Sequence, residues 1–144
     1  MEFQAYEHKV QYYETDQMGI VHHSNYIRWF EEARCDMMEQ MGMGYQRMEE
    51  HGIVCPVLTM YCEYKSMTHF GETVEIHCIL KEYNGVKMTV EYSVMDKETE
   101  KVRCIGESRH CFLSKGGRPV SLKKQYLEMD QIFRRCLPEK KEEE

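Results

Sequence analysis

Apolar residues in this chain recur at every second position, then once at every third or fourth, and then at every second position again almost to the end. Residues 3–14 alternate, with Tyr6, His8, Val10 and Tyr12 on one side and Glu7, Lys9 and Gln11 on the other. That is the period of a strand. From Tyr26 the interval lengthens: Tyr26, Phe30, Ala33, Met37, Met41, Tyr45 and Met48 form one inward stripe on a long helix. Ser24 or Asn25 is placed to supply an N-cap oxygen, Gly42-Met43-Gly44 loosens the helix, and Gly52 stops it. Four alternating stretches follow, over 54–66, 72–83, 86–95 and 102–114. Their apolar weight falls on Leu58, Met60, Cys62 and Tyr64; on Val74, Ile76, Cys78 and Leu80; and on Val86, Met88, Val90, Tyr92 and Val94.

Short turns between successive strands make them antiparallel. Asn84-Gly85 between two alternating runs predicts a hairpin with a type I′ turn. Gly116-Gly117 closes the last strand, residues 122–137 read as a short helix, and 139–144 as a charged, frayed tail. The apolar face of such a sheet must be covered, and the long helix is the element large enough to do it. The expectation is an α+β chain forming one domain over 1–144, with its core at about 4–115. In it a five-stranded antiparallel sheet curls around one long central helix, followed by the short C-terminal helix. The open edges of this sheet favour dimerisation.

Charge narrows the partners. Nineteen Lys and Arg face 25 Asp and Glu in 144 residues, a net charge of −6. That balance argues against non-specific binding to nucleic acid or an anionic membrane. No apolar run reaches the length of a membrane span, and the first ten residues lack the pattern of a signal peptide. The expected location is the cytoplasm. The seven cysteines are an odd number with no C-x-x-C pair, which points to reduced, structural thiols and no metal site.

Polar, aromatic and glycine residues are densest over 12–26, between the first strand and the long helix. A helix N-terminus offers unpaired N–H groups and partial positive charge to a developing oxyanion. Asp16 a short loop upstream, with amides near His23, would make a base or nucleophile facing an oxyanion site. The plainer reading is that Asp16 caps a turn. His22 and His23 side chains read as solvated, Glu31 and Glu32 as structural partners of Arg34, and Met37, Met38, Met41 and Met43 as core. Lys65, Arg109, Lys115 and Arg118 are basic residues near strand ends, where Lys and Arg are usually solvated.

The run YYETDQMGIVHHSNYIRWFEEAR resembles the acyl-CoA thioesterases of the hotdog superfamily, in the branch of 4-hydroxybenzoyl-CoA thioesterase. Thr15, Asp16, Gly19, Val21, Tyr26, Glu31, Ala33 and Arg34 match the family pattern, and 63–65 and 70–74 resemble its later strands. The resemblance implies a hotdog fold and hydrolysis of an acyl-CoA thioester, with no metal or redox cofactor. It implies Asp16 as nucleophile or general base and the His23 backbone amide as oxyanion donor. Gly19, Val21, Tyr26 and Lys65 would lie along the substrate. The site would sit at the interface of a homodimer, with dimers able to pair into tetramers. An acyl-carrier-protein thioesterase of the same fold, or a non-catalytic acyl-CoA binding module, are the alternatives.

Overall fold

A computed structural model describes residues 2–139, so the expected tail lies outside the described residues from 140 onward. The main sheet has five strands: β1 (Tyr6–Lys9), β3 (Val57–Tyr64), β4 (Thr73–Tyr83), β5 (Lys87–Asp96) and β6 (Val102–Cys111). They run antiparallel in the order β1-β4-β5-β6-β3. β2 (Ile53–Val54) and β7 (Leu113–Ser114) pair separately as a two-stranded ladder. Four helices accompany them: α1 (Ser24–Met41), α2 (Tyr45–Glu50), α3 (Leu122–Gln125) and α4 (Leu127–Arg135). The result is a mixed α+β domain on an antiparallel sheet.

The expected single long helix is not there. It ends at Met41, and α2 starts after Gly42-Met43-Gly44. The apolar stripe runs through the break, because Met43 and Met48 are as buried as Met37 and Met38. The C-terminal helix is likewise split at Tyr126, and the last strand at Phe112, between β6 and β7. The first strand stops at Lys9, and Tyr12–Glu14 forms a 3-10 turn that leaves Tyr12 exposed rather than inward. On β3 a register shift between Val57 and Thr59 leaves Leu58 exposed, and Tyr64 at the far end is exposed too.

The hairpin between β4 and β5 pivots one residue later than expected. Tyr83 pairs with Met88, and the positive φ is confined to Gly85 at +90°. A two-residue turn with glycine first satisfies the strand twist with one such residue. Asn84 instead serves through its side chain, whose Oδ1 accepts the Val86 and Lys87 amides at 3.0 and 2.8 Å.

α1 lies against the sheet through Tyr26, Trp29, Phe30, Ala33, Met37 and Met38. Phe30 stacks on Tyr92 of β5, ring centroids 4.5 Å apart. It sits directly over Gly106 of β6, where a β-carbon would collide with the ring.

A chain of hydrogen bonds crosses this core. Arg34 Nη1 donates to the Tyr92 hydroxyl at 3.0 Å, and Arg34 Nε to the Tyr45 hydroxyl at 2.8 Å. Tyr92 meets Ser108 Oγ at 2.6 Å, and Ser108 meets His110 Nε2 at 2.7 Å. His110 Nδ1 faces the Cys55 carbonyl at 3.4 Å. Since that carbonyl only accepts, His110 carries its proton on Nδ1 and accepts from Ser108 at Nε2, and Tyr92 donates to Ser108. Arg34 therefore pairs with phenols from α2 and β5, not with Glu31 or Glu32 as expected.

Candidate active site

The connection from β1 to α1 is a small closed loop. Thr15 and Val21 pair across it, the Asp16 amide donates to the Ile20 carbonyl at 2.8 Å, and Gly19 N–H returns to the Asp16 carbonyl at 2.9 Å. Inside it, Asp16 Oδ1 accepts the Met18 amide at 2.8 Å, a side-chain turn of the kind aspartate favours. Asp16 Oδ2 has no hydrogen-bond partner among the described residues. Gly19 holds φ at +78°, and a β-carbon there would meet nothing within 4 Å. Backbone conformation alone therefore calls for glycine at this position.

Two anchors fix the loop against the body of the protein. Val21 N–H donates to the Thr68 carbonyl, and His22 N–H to the Glu14 carbonyl, at 2.9 and 2.8 Å. Asn25 Nδ2 donates to the same Glu14 carbonyl at 2.8 Å. Asn25 is thus not the helix cap; His23 occupies that position, and the Ser24 amide donates to His22 Nδ1 at 3.2 Å. Ser24 Oγ meets the same nitrogen at 2.8 Å, so a neutral His22 has its proton on Nε2. The His23 carbonyl receives the Tyr64 hydroxyl at 3.3 Å, whereas the His23 N–H has no acceptor among the described residues.

Beneath the loop sits a residue that sequence reasoning passed over. Glu14 is 4% exposed, and its carboxylate receives Trp29 Nε1 at 2.6 Å, the Gln11 amide at 2.8 Å and His8 Nε2 at 2.7 Å. Burial pushes this carboxyl up, but the three hydrogen bonds together outweigh it and hold its pKa below the ordinary range. Its one visible clue is the spacing Gln11-x-x-Glu14, which resembles a capping box at the head of a short helix.

A cleft of about 590 Å³ opens here, lined by Tyr13, Thr15, Asp16, His22, Arg28 and Glu32 among others, with Glu14 and Trp29 at its base. That is within the volume range of small-molecule sites. Three carboxylates reach it, and their commitments separate their roles. Glu14 is spent on three donors. Glu32 faces Tyr6 and His8, at 3.3 and 3.4 Å. Asp16 keeps one oxygen uncommitted.

The other residues expected at the site are placed around the cleft rather than in it. Val21 is buried under the loop, and Tyr26 is buried with its hydroxyl 2.9 Å from Thr68 Oγ1. Burial pushes the Tyr26 phenol up, so it stays protonated. Lys65 is exposed, one residue beyond Tyr64, and pairs with Glu63 at 2.5 Å. Among the described residues no group of three or more His, Cys, Asp and Glu side chains is arranged to hold a metal ion. Among the described residues no helix is long and apolar enough to cross a membrane.

An antiparallel sheet packed on α1 is the hotdog architecture, and its relatives make the molecule a thioester hydrolase of that fold. The chain belongs to the thioesterase-like superfamily, whose family model matches residues 10–134. It is 38% identical over 124 residues to a putative esterase of Aquifex aeolicus, covering 86% of this chain and 94% of that one. It is 34% identical to the putative acyl-CoA thioesterase YneP of Bacillus subtilis, covering 83% and 87%. Among solved structures it resembles a DHNA-CoA thioesterase from Staphylococcus aureus. The TM-score there is 0.86 at 26% identity, covering 92% of this chain and 89% of that one.

Proposed function

We propose that this thioester hydrolase acts on acyl-CoA, with Asp16 as the reacting carboxylate and the His23 amide as oxyanion donor. The observations that carry the reading are the uncommitted Oδ2 of Asp16, a residue lining the cleft, and, just outside that lining at the head of α1, the unpaired N–H of His23. As a general base, Asp16 takes a proton from water as the water oxygen attacks the thioester carbonyl. The oxyanion so formed is stabilised by the His23 N–H and the positive end of α1. When the intermediate collapses, the C–S bond breaks and the proton on Asp16 passes to the departing CoA thiolate. As a nucleophile, Oδ2 bonds to the carbonyl carbon and expels the thiolate, and water then opens the mixed anhydride. Either route needs only water and the residues of the chain, so the proposal includes no cofactor.

Gly19 and Val21 shape the loop, Tyr26 supports it from below, and Lys65 is assigned to the phosphates of CoA at the rim. Assembly into a homodimer, or a dimer of dimers, belongs to the same proposal. It is supported by the unpaired outer edge of β3, with Val57, Leu58, Tyr61 and Tyr64 exposed. A second support is the apolar rim of the loop, where Tyr12, Tyr13 and Met18 are 78%, 82% and 73% exposed.

The test is hydrolysis of a panel of acyl-CoAs, short to long chain with benzoyl and phenylacetyl, by wild type and Asp16→Asn. Free CoA is read by chromatography, because seven protein thiols interfere with thiol dyes. The expected result is turnover by wild type and a loss of at least about 10²-fold in the variant. Equal activity in the variant would remove Asp16 from the mechanism. Binding without release of CoA would leave a binding module, and turnover of acyl-carrier protein alone would move the substrate class.

A further inference from the structure

Cys62 on β3 and Cys104 on β6 bring their sulfurs to 3.3 Å. The register explains how. Tyr64 pairs with Cys104 and Cys62 with Gly106, so the two cysteines are diagonal neighbours across adjacent strands, both turned toward the core. Gly106 beside Cys62 presents no side chain between them. About 1.3 Å of closure separates this contact from an S–S bond. No other pair among the seven cysteines is in sulfur contact among the described residues.

The two thiols are unequal. Cys104 is fully buried and Cys62 only partly so. The hydrogen bond the two sulfurs share favours the thiolate at Cys62, whose pKa it lowers, and pushes the thiol of buried Cys104 up. A partly exposed thiolate backed by a buried thiol is the arrangement that attacks an oxidant and is then resolved. β3 has a single neighbour in the sheet, β6, the strand that carries Cys104, so the two sulfurs face each other across one strand pair.

We propose that Cys62 and Cys104 form a dithiol oxidation site that reacts with hydroperoxides. The Cys62 thiolate attacks one peroxide oxygen; an S–O bond forms, the O–O bond breaks, and the leaving alkoxide or hydroxide takes a proton from water. The Cys104 sulfur then attacks the Cys62 sulfenic acid. The S–S bond forms, the S–O bond breaks, and the departing hydroxide takes the Cys104 proton as water. Two thiols give up two electrons, and one hydroperoxide is reduced to an alcohol, or to water when it is hydrogen peroxide. The site requires nothing of Asp16 and stands apart from the hydrolase reading.

The experiment treats the full chain with a small excess of hydrogen peroxide at neutral pH, blocks free thiols with N-ethylmaleimide, and maps the unreduced protein by mass spectrometry. Cleavage after Tyr61 as well as at Lys and Arg separates Cys62 from Cys55, so the linkage is unambiguous. The expected product is a Cys62–Cys104 linked peptide, two hydrogens lighter than its parts and restored by dithiothreitol. In Cys104→Ser, Cys62 is expected to accumulate as a sulfenic acid trapped by dimedone. In Cys62→Ser, thiol loss falls to the background of the remaining cysteines. Alkylated Cys62 and Cys104 beside earlier oxidation of Cys35 or Cys111 in the wild type would overturn the proposal. So would Cys62 sulfinic acid with Cys104 intact.

Discussion

Acid titration of His110 tests the polarity of the hydrogen-bond chain through the core. His110 is fully buried, and its pKa falls from 6.5 to about 4 because burial opposes the imidazolium and the Arg34 charge repels it. Protonation would also add a donor at Nε2, where Ser108 already donates. Ser108 would then face hydrogens from both His110 and Tyr92, and its own would have no acceptor on the chain. Between about pH 6.5 and 4.5 the unfolded chain binds this proton and the folded chain does not, so stability falls as pH falls. The loss over those two units is about 2 kcal/mol from His110 alone. Two carboxylates also held low act beneath this window. Glu14 has been described; Asp96 is lowered to about 2 by the Thr99 amide first, with Arg103 nearby. Their stabilisation is present above the ordinary carboxylate pKa of about 4 and is lost as pH drops through the folded values. The assay is urea unfolding of wild type and His110→Gln at pH 6.5, 5.5 and 4.5. Gln retains one acceptor and one donor but does not titrate. Wild type is expected to lose about 2 kcal/mol more than the variant across the window. Equal slopes would refute the reasoning. So would an NMR titration of the native protein placing His110 near 6.5.

Three further outcomes follow from the site. Glu14→Ala strands the buried Trp29 N–H and two further donors, so unfolding free energy should drop by about 2–4 kcal/mol in urea titration; unchanged stability would mean the carboxylate holds nothing. Gly19→Ala forces a β-carbon into a left-handed conformation at a cost of about 1–2 kcal/mol, and is expected to lower kcat by displacing Asp16. Wild-type kcat in that variant would show that the loop tolerates the change. Lys65→Ala should raise KM for acyl-CoA several-fold with kcat unchanged, and should leave hydrolysis of a short pantetheine thioester unaltered. A loss on both substrates would place Lys65 in another role.

The sequence carried the strands best where one face is buried throughout. Val74, Ile76, Cys78 and Leu80 alternate with half-buried or exposed residues, so burial and period coincide. It failed where packing overrides period. Met43 and Met48 keep the helical stripe going across a break that two glycines had announced, and Phe112 hides the end of β6 by staying apolar and buried. That 12–26 is a loop leading into a helix was legible from its glycine and polar residues, whereas the roles of Asp16 and Gly19 rested on the family resemblance and the cap fell one residue earlier than expected, on His23. Glu14 was not legible, because its burial is made by His8 and Trp29, six residues before it and fifteen after. Arg34 was misread for the same reason. Nearby acids on its own helix suggested a surface pair, whereas its partners come from residues 11 and 58 positions away.

Gly106 works as a depth stop for the entire helix. Phe30 settles into the space a side chain would fill, so the spacing between α1 and the sheet is set near the middle of β6. The helix is a rigid rod, and its first turn carries the His23 amide. A wedge under Phe30 would therefore tilt that amide relative to Asp16, which hangs from a loop anchored separately on Glu14 and Thr68. The alignment of the two groups proposed to react is thus calibrated from the far side of the core, at a position with no chemistry of its own.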